Sequence, residues 1–144
     1  MGTRADFYVG TDKNAEWLGS IAWDGYPGGI PDDILGARSE ARYRQAVELF
    51  IEERDDGVKP EEGWPWPWDN SGTTDCAYAW HDNEIGTRVL LCWFGSYWMT
   101  PAKHEACNTL ALEEEEARKY AEDIPVDFPD MSTKKRAVVE RGPS

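Results

Sequence analysis

The most constraining feature of this sequence is a stretch in which tryptophan alternates with proline, Gly63-Trp64-Pro65-Trp66-Pro67-Trp68. Each proline fixes its own φ and lacks an N–H donor, so the stretch fits neither a helix interior nor a central strand. The sequence therefore predicts a loop over residues 58–75, called here the tryptophan loop, with an extended or polyproline-like backbone at the tryptophans. We expect its tryptophan side chains to cover an open face of a sheet. The alternative is a preorganised aromatic clamp, in which Trp64, Trp66 and Trp68 contact a partner.

Short runs rich in aromatic and aliphatic residues predict two hairpins and one further strand. The predicted strands are residues 6–10 and 17–23, residues 76–80 and 87–94, and residues 96–99. The second hairpin would turn at the polar residues 81–84, and the Gly- and Pro-rich residues 24–31 predict an irregular surface loop.

One segment carries a clear helical pattern, from residue 39 to residue 54. Ser39 is the predicted N-cap, because its hydroxyl accepts hydrogen bonds from N–H groups of the first turn. At 100° per residue, four apolar side chains fall on one face, which is predicted to be buried. These are Tyr43, Ala46, Val47 and Phe50. A second helix is predicted over residues 109–123, where Glu114 and Arg118 stand in the favourable i,i+4 order.

Together these segments predict an α+β domain, a mainly antiparallel sheet with one or two helices packed on one face. A chain of 144 residues is long enough for one domain with its own core. We expect this domain to span residues 1–130. The tail, residues 131–144, has few apolar side chains and is expected to be loosely ordered.

The chain is strongly acidic, with 28 Asp and Glu against 15 Lys and Arg and a formal net charge of −13. This excess excludes broad electrostatic binding of DNA, RNA or an anionic membrane, each of which needs a basic face. No apolar run approaches the length of a membrane span, and no signal-peptide pattern opens the sequence. We therefore expect a cytoplasmic protein whose partner is a protein with a basic, nucleic-acid-binding surface.

The acids of the first helix fall on the side opposite its apolar face: Glu48, Glu52 and Asp55. Their i,i+4 and i,i+3 spacing predicts an exposed stripe that rises about 6 Å per i,i+4 step. One DNA strand offers a phosphate about every 3.4 Å along the axis. A nucleic-acid mimic would therefore need a second acidic stripe alongside the first.

A second acidic segment, Glu113-Glu114-Glu115-Glu116, is a further candidate partner surface. Consecutive helical residues point about 100° apart, so this block does not form a stripe by itself. Residues 105–130 nevertheless contain nine acids, and the only bases there are Arg118 and Lys119. The competing interpretation of both acidic segments is a solvated coat that aids solubility.

Residue types that bind metal or carry catalysis are present, but not in recognisable motifs. Potential zinc donors show no Cys-x-x-Cys pair, and they are Cys76, His81, Cys92, His104 and Cys107. No Gly-x-Ser-x-Gly, Walker or Gly-x-Gly-x-x-Gly motif occurs. The sequence therefore predicts no metal, no cofactor and no catalytic residue.

Four strings of the sequence are distinctive: TRADFYVG at residues 3–10, EWLGSIAWDGYP at residues 16–27, GWPWPW at residues 63–68 and FPDMS at residues 128–132. On these strings the chain resembles a family of small bacterial and phage proteins without a characterised activity. The resemblance covers most of the chain and implies a cytoplasmic protein carried by bacteria or their phages. It implies no activity and no site residue.

Two hypotheses from different classes follow. The first is a non-enzymatic acidic binding protein of phage or mobile-element type, which inhibits a nucleic-acid-handling protein, for example a defence protein, by occupying its basic site. The second is a small enzyme or ligand-binding domain, in which the tryptophan loop, His81 and Asp82 form a pocket. Acids gathered on one contiguous face favour the first hypothesis, and a deep aromatic-lined cleft favours the second.

Overall fold

The computed structural model describes residues 2–83, 86–93, 97–121, 124 and 126–135. The strands in these ranges are β1 (Ala5–Val9), β2 (Glu16–Ile21), β3 (Cys76–Asn83), β4 (Gly86–Trp93) and β5 (Tyr97–Met99). The α-helices are α1 (Asp32–Leu35), α2 (Glu40–Glu52), α3 (Pro101–Thr109) and α4 (Glu114–Ala117). Single 3-10 turns occupy Pro27–Gly29, Pro60–Glu62, Arg118–Tyr120 and Ser132–Lys134. None of the helices in the described ranges has the length and apolar character needed to cross a membrane.

The strands form one sheet in the order β2-β1-β3-β4-β5. Neighbouring strands pair antiparallel, except that β1 and β3 run parallel, with Ala5 opposite Cys76 and Val9 opposite Trp80. A parallel pair needs a long crossover connection, and the segment from α1 through the tryptophan loop provides it. The predicted α+β class with a mainly antiparallel sheet is therefore confirmed.

The predicted N-terminal hairpin is formed by β1 and β2, and its register shifts between Phe7 and Tyr8. Gly19 lies opposite Phe7 and has a φ of +139°, a conformation that favours glycine. A Cβ at this position would lie 2.7 Å from the carbonyl oxygen of Val58, too close for any side chain. Glycine therefore lets the start of the tryptophan loop run against the outer edge of β2.

Helix α2 begins as predicted, since the Ser39 hydroxyl accepts from the Arg42 N–H at 3.2 Å. Its buried residues are Tyr43, Val47 and Ile51, which follow one another at i,i+4 spacing. Phe50 is only partly buried, so the buried face is turned toward Ile51 relative to the prediction.

The helix predicted over residues 109–123 is confirmed only in part: α4 and the 3-10 turn Arg118–Tyr120 lie within it, and residues 122–123 lie outside the described residues. Helix α3 ends at Thr109, where the prediction began, and Ala111 interrupts the helical backbone with a φ of +54°. The missed signal is a Thr-Pro start, in which Pro101 occupies the first turn and the Thr100 hydroxyl accepts from the Lys103 N–H at 3.3 Å. The predicted turn at residues 81–84 also begins too early, because β3 continues to Asn83.

The two faces of the sheet bury different sets of side chains, as the alternation of β1 requires. On the face covered by α1 and α2, called here the helix face, the buried residues are Ala5, Phe7, Ile21, Ile30, Ile34, Tyr43, Val47, Ile51, Tyr78 and Trp80. On the face covered by the tryptophan loop, called here the loop face, they are Tyr8, Trp17, Val58, Trp64, Ala77, Ala79, Trp98 and Met131.

The first part of the predicted tail belongs to the loop face. Met131 is buried, and its N–H donates to the Asp69 carbonyl at 2.6 Å. The Trp64 N–H donates to the Lys134 carbonyl at 2.7 Å, and Lys135 forms an isolated bridge with Trp64. The boundary at residue 130 therefore falls inside a packed segment, while residues 136–144 of the predicted tail lie outside the described residues.

Candidate partner-binding surface

Six exposed carboxylates lie in the segment that runs from the second half of α2 to the 3-10 turn Pro60–Glu62. They are Glu48, Glu52, Glu53, Asp55, Glu61 and Glu62, and we call this surface the acidic shoulder. The sequence pattern predicted three of them, Glu48, Glu52 and Asp55, as one helical stripe, and all three are exposed. Because α2 ends at Glu52, Asp55 lies beyond the helix, and the stripe along α2 consists of Glu48 and Glu52. The other three come from the chain that leaves the helix.

A short backbone pairing brings the turn alongside α2. Val58 and Ser20 exchange two hydrogen bonds, with the Val58 N–H donating at 2.8 Å and the Ser20 N–H at 3.0 Å. The turn that follows is closed by the Glu62 side chain, which accepts from the Lys59 N–H at 2.8 Å. Because β2 also packs against α2, this pairing fixes the position of Glu61 and Glu62 relative to the helix.

The basic side chains near the acidic shoulder are already paired. Arg54 turns inward, with its Nε 2.6 Å from Asp56 and its Nη2 donating to the Trp23 carbonyl at 2.9 Å. Its side chain is only 18% exposed, so its charge is balanced below the surface. Arg44 binds Glu16 at 2.7 Å and the neighbouring Glu40 at 2.8 Å.

Lys59 is the one basic residue that stands among the shoulder carboxylates in the described chain. Its ammonium lies 3.2 Å from Glu52, and this hydrogen bond, with the nearby charges of Glu52, Glu61 and Glu62, raises the pKa of Lys59. Within the described residues, the other five acids of the acidic shoulder make no salt bridge, and of these Glu62 accepts a hydrogen bond from the Lys59 N–H. The surface therefore carries a large uncompensated negative charge.

An open groove of about 330 Å³ crosses the acidic shoulder. Leu18, Ile51 and Pro60 supply apolar surface to the groove, and its charged lining residues are Arg44, Glu48, Lys59 and Glu61. The groove combines apolar area with charges of both signs, and its two basic side chains are already paired with Glu16, Glu40 and Glu52. It suits a partner segment in which an apolar side chain stands between basic ones.

The second predicted acidic surface is separate from the acidic shoulder. Glu113, Glu115 and Glu116 are exposed, whereas the side chain of Glu114 lies outside the described part of the chain. The neighbouring helix α3 packs against β4, while α2 packs against β2 at the far edge of the sheet. The two acidic segments therefore lie toward opposite ends of the strand order and do not form one joint stripe.

The tryptophan loop packs on the sheet, as the first of its two interpretations predicted. Trp64 is only 1% exposed and sits edge-on to Trp17, with centroids 5.3 Å apart. This burial corrects the proposal of Trp64 as a contact residue, because its side chain is enclosed by the loop face. Trp66 and Trp68 are half-buried and stacked at 5.6 Å, and the Arg4 guanidinium lies over both rings.

Sequence reasoning missed the most unusual polar group of the loop face, the fully buried carboxylate of Asp6. Its Oδ1 accepts from the Ser20 hydroxyl at 2.6 Å and from the Trp66 indole N–H at 2.7 Å, and its Oδ2 accepts from the Ser71 hydroxyl at 2.5 Å. Thr74 supplies a further hydrogen bond. Burial raises the pKa of Asp6, and these four neutral donors oppose the rise.

Three aromatic side chains stand behind the hydroxyls that bind Asp6. The Trp17 N–H donates to Ser20 at 3.0 Å, the Trp68 N–H donates to Thr74 at 2.8 Å, and the Tyr8 hydroxyl is 2.5 Å from that of Ser71. The only sequence signal for this arrangement was an aspartate inside an apolar strand. We call the set of Asp6, its four donors and these three aromatic residues the Asp6 network.

The predicted pocket around His81 and the possible zinc donors are not assembled in the described residues. His81 is half-buried in β3, and the side chains of Asp82 and Cys92 lie outside the described part of the chain. His104 and Cys107 are buried on α3, where burial lowers the pKa of His104 to about 4. No group of three or more potential metal ligands occurs among the side chains that the structure describes.

Comparisons with protein families, with curated proteins and with solved structures found no match to this chain. The resemblance to small bacterial and phage proteins therefore stays an expectation from the sequence. Function has to be argued from the surface itself.

Proposed function

We propose that this protein is a non-enzymatic acidic binding protein, which occupies the basic site of a nucleic-acid-handling protein through its acidic shoulder. The observation that carries the proposal is the charge balance of that surface: it has six exposed carboxylates, three of which (Glu52, Glu61 and Glu62) act on Lys59, while Arg54 is turned inward to Asp56. Sites that bind nucleic acid are rich in Lys and Arg, so complementary charge would speed encounter and direct partner choice. An inhibitor carried by a phage or mobile element, for example against a defence protein, would use such a surface.

Two rows of carboxylates support mimicry of a nucleic-acid strand. The first row runs along α2, where acids one turn apart are separated by a rise of about 6 Å. The second row is Glu61 and Glu62, whose charges act on that of Lys59. Glu48 and Glu61 line the same groove. A second row raises the density of negative charge toward that of phosphates spaced about 3.4 Å apart.

Charge reversal tests the proposal directly. The wild-type chain is used to capture its partner from a bacterial lysate at low salt, and the purified partner is then assayed for binding of a DNA or RNA duplex. We expect the wild-type chain to compete with the duplex for the partner. Binding should weaken steeply with salt, because exposed charges are screened beyond about 8–10 Å near physiological ionic strength.

The triple variant Glu48→Lys, Glu52→Lys and Asp55→Lys should lose partner binding by at least about 100-fold, because several like charges would then face the basic site. The matched control is Glu113→Lys, Glu115→Lys and Glu116→Lys, which makes the same change of charge on the other acidic surface. The control should keep partner binding within a few-fold. If the control loses binding instead, the contact surface lies at α4; if neither loses it, the acidic surfaces are only a solvated coat.

A further inference from the structure

A second surface has the features of a contact site, the loop between β2 and α1. Two large aromatic side chains on this loop, Trp23 and Tyr26, are each 49% exposed. Aromatic side chains are enriched at the centres of protein interfaces because they offer large area at a small cost in side-chain entropy. Their exposure on one short loop therefore calls for an explanation other than packing in the core.

The loop that carries these aromatic residues is held firmly by hydrogen bonds. The Gly25 carbonyl accepts from the Tyr78 hydroxyl at 2.6 Å, and the Gly25 N–H donates to the Thr3 carbonyl at 2.8 Å. The Trp23 N–H donates to Asp56 at 3.0 Å. A Cβ at Gly25 would lie 2.7 Å from the Thr3 carbonyl oxygen, so only glycine allows this close approach. The aromatic residues are thus presented on a preorganised backbone, which lowers the entropy cost of binding.

An open groove of about 580 Å³ runs from Tyr26 to the first turn of α3. Most of its lining is apolar, from the loop, from α1 and from α3: Tyr26, Pro27, Ile30, Leu35, Pro101 and Ala102. A groove of this volume is within the range that accommodates a few side chains of a partner.

The charges that line the groove are all negative. Asp32 and Glu105 are exposed lining residues, and His104 is uncharged at neutral pH because burial lowers its pKa to about 4. No Lys or Arg belongs to the described lining. An occupant of this groove therefore gains from carrying a positive charge together with apolar surface.

We propose that this groove binds an arginine side chain of the partner, with Tyr26 against the guanidinium plane and Asp32 and Glu105 balancing its charge. The inference rests on the proposed function, since the arginine would come from the basic partner. Arginine is favoured over lysine because its planar guanidinium stacks on aromatic rings and binds carboxylates through paired N–H groups. A nucleic-acid base would also stack on an aromatic ring, but its phosphates would face Asp32 and Glu105.

The test uses the full chain labelled with ¹⁵N and three capped peptides that differ only at their centre: Gly-Leu-Arg-Leu-Gly and the same sequence with Lys or Glu. We expect the arginine peptide to shift the amide signals of Gly28, Gly36 and Ala102, and to bind at least about fivefold more tightly than the lysine peptide. The glutamate peptide should shift none of them. Equal shifts by all three peptides, or no shifts at the highest soluble concentration, would overturn the proposal.

Two variants place the site and separate it from the proposed function. Tyr26→Ala should abolish the shifts, whereas Tyr120→Ala, at another exposed tyrosine, should leave them unchanged. The triple shoulder variant should still bind the arginine peptide. A wrong proposal for the acidic shoulder would therefore show in partner binding, and a wrong proposal for this groove would show in peptide binding. Retained binding by Tyr26→Ala, or shifts of the same amides by an oligothymidylate, would show that the groove is not an arginine site.

Discussion

The helix face and the loop face of this sheet are covered in different ways. On the helix face, Phe7 stacks on Tyr78 at 5.4 Å and Tyr43 packs beside Trp80 at 5.8 Å, so contacts between apolar rings dominate. On the loop face, the cover is an irregular segment whose prolines lack N–H donors. There the hydrogen bonds from Trp66 and Ser71 to the Asp6 carboxylate connect the loop to the sheet.

Each side of the molecule also contains one buried aspartate, and the two are balanced differently. Asp56, beside the end of α2, is paired with the guanidinium of Arg54 at 2.6 Å. Asp6, on the loop face, is surrounded by neutral donors. A buried charge without an opposite charge depends on its hydrogen bonds. We therefore expect that replacing a polar side chain on the loop face lowers stability more than replacing an apolar side chain on the helix face.

The largest effect expected from this comparison is that of Asp6→Asn. The side-chain amide of the variant would direct its own N–H groups toward the hydrogen-bond donors that bind a carboxylate oxygen in the wild-type chain, so these donors would lose their acceptor. We expect a loss of about 3–5 kcal/mol in the free energy of unfolding, since each buried donor left without a partner costs about 1–3 kcal/mol. Urea unfolding of both chains measures this loss.

Asp12→Asn is the matched control for that substitution. Asp12 is exposed in the turn of the first hairpin, where its side chain accepts from the Asn14 N–H at 2.9 Å. Its replacement should change stability by under about 0.5 kcal/mol. A loss of similar size in the two variants would mean that the Asp6 network does not hold the loop face together.

A smaller loss is expected on the helix face from Phe50→Ala. A fully buried phenylalanine would cost about 3–5 kcal/mol, but Phe50 is partly exposed, so we expect about 1.5–3 kcal/mol. The ring contacts Phe7 edge-on at 6.2 Å and lies beneath the Arg54 guanidinium. Leu49→Ala, at the exposed neighbour, is the control and should cost under about 0.5 kcal/mol. Equal losses would mean that α2 faces the sheet in another orientation.

The two buried aspartates should titrate on opposite sides of the ordinary aspartate value of 3.8. Burial raises the pKa of Asp6 in the folded chain, so the stability linked to it is present below the unfolded pKa and is lost as pH rises through the folded pKa. For Asp56 burial acts in the same direction, but the Arg54 guanidinium and the N–H groups of Trp23 and Ala22 outweigh it and lower the pKa.

The stability linked to Asp56 is therefore present above its unfolded pKa and is lost as pH falls through its folded pKa. NMR titration of the two side-chain carboxyl carbons measures both values, and Asp6→Asn assigns the higher one. Each pKa unit of difference from the unfolded chain corresponds to about 1.4 kcal/mol. Titration of both groups on the same side of 3.8 would remove the distinction drawn between the two faces.

The sequence predicted what depends on local periodicity. Ser39 as N-cap, the amphipathic α2 and the two hairpins all follow from residues that are neighbours in the chain. The Asp6 network could not be predicted, because its donors lie up to 68 positions from Asp6 and meet only after the sheet has formed. Glu61 and Glu62 of the acidic shoulder were missed for the same reason, since they reach α2 through the pairing of Val58 with Ser20.

The smallest and most direct test is the same substitution on each face, Tyr8→Phe on the loop face and Tyr43→Phe on the helix face. Both hydroxyls are buried, and both variants keep the aromatic ring. The Tyr8 hydroxyl lies 2.5 Å from that of Ser71, which donates to Asp6, so its removal weakens a connected chain of hydrogen bonds. The Tyr43 hydroxyl makes a long bond of 3.3 Å to the Tyr78 carbonyl.

We therefore expect Tyr8→Phe to cost about 1–1.5 kcal/mol and Tyr43→Phe about 0.5 kcal/mol or less, because short bonds to a connected charged group are stronger than long neutral ones. Urea unfolding measures both losses, and NMR titration should show a higher pKa of Asp6 in Tyr8→Phe alone. The pKa of Asp6 should rise because a weaker hydrogen bond from Ser71 stabilises the carboxylate less. If Tyr43→Phe costs more, or if the pKa of Asp6 is unchanged in Tyr8→Phe, the loop face is held by ring packing in the same way as the helix face.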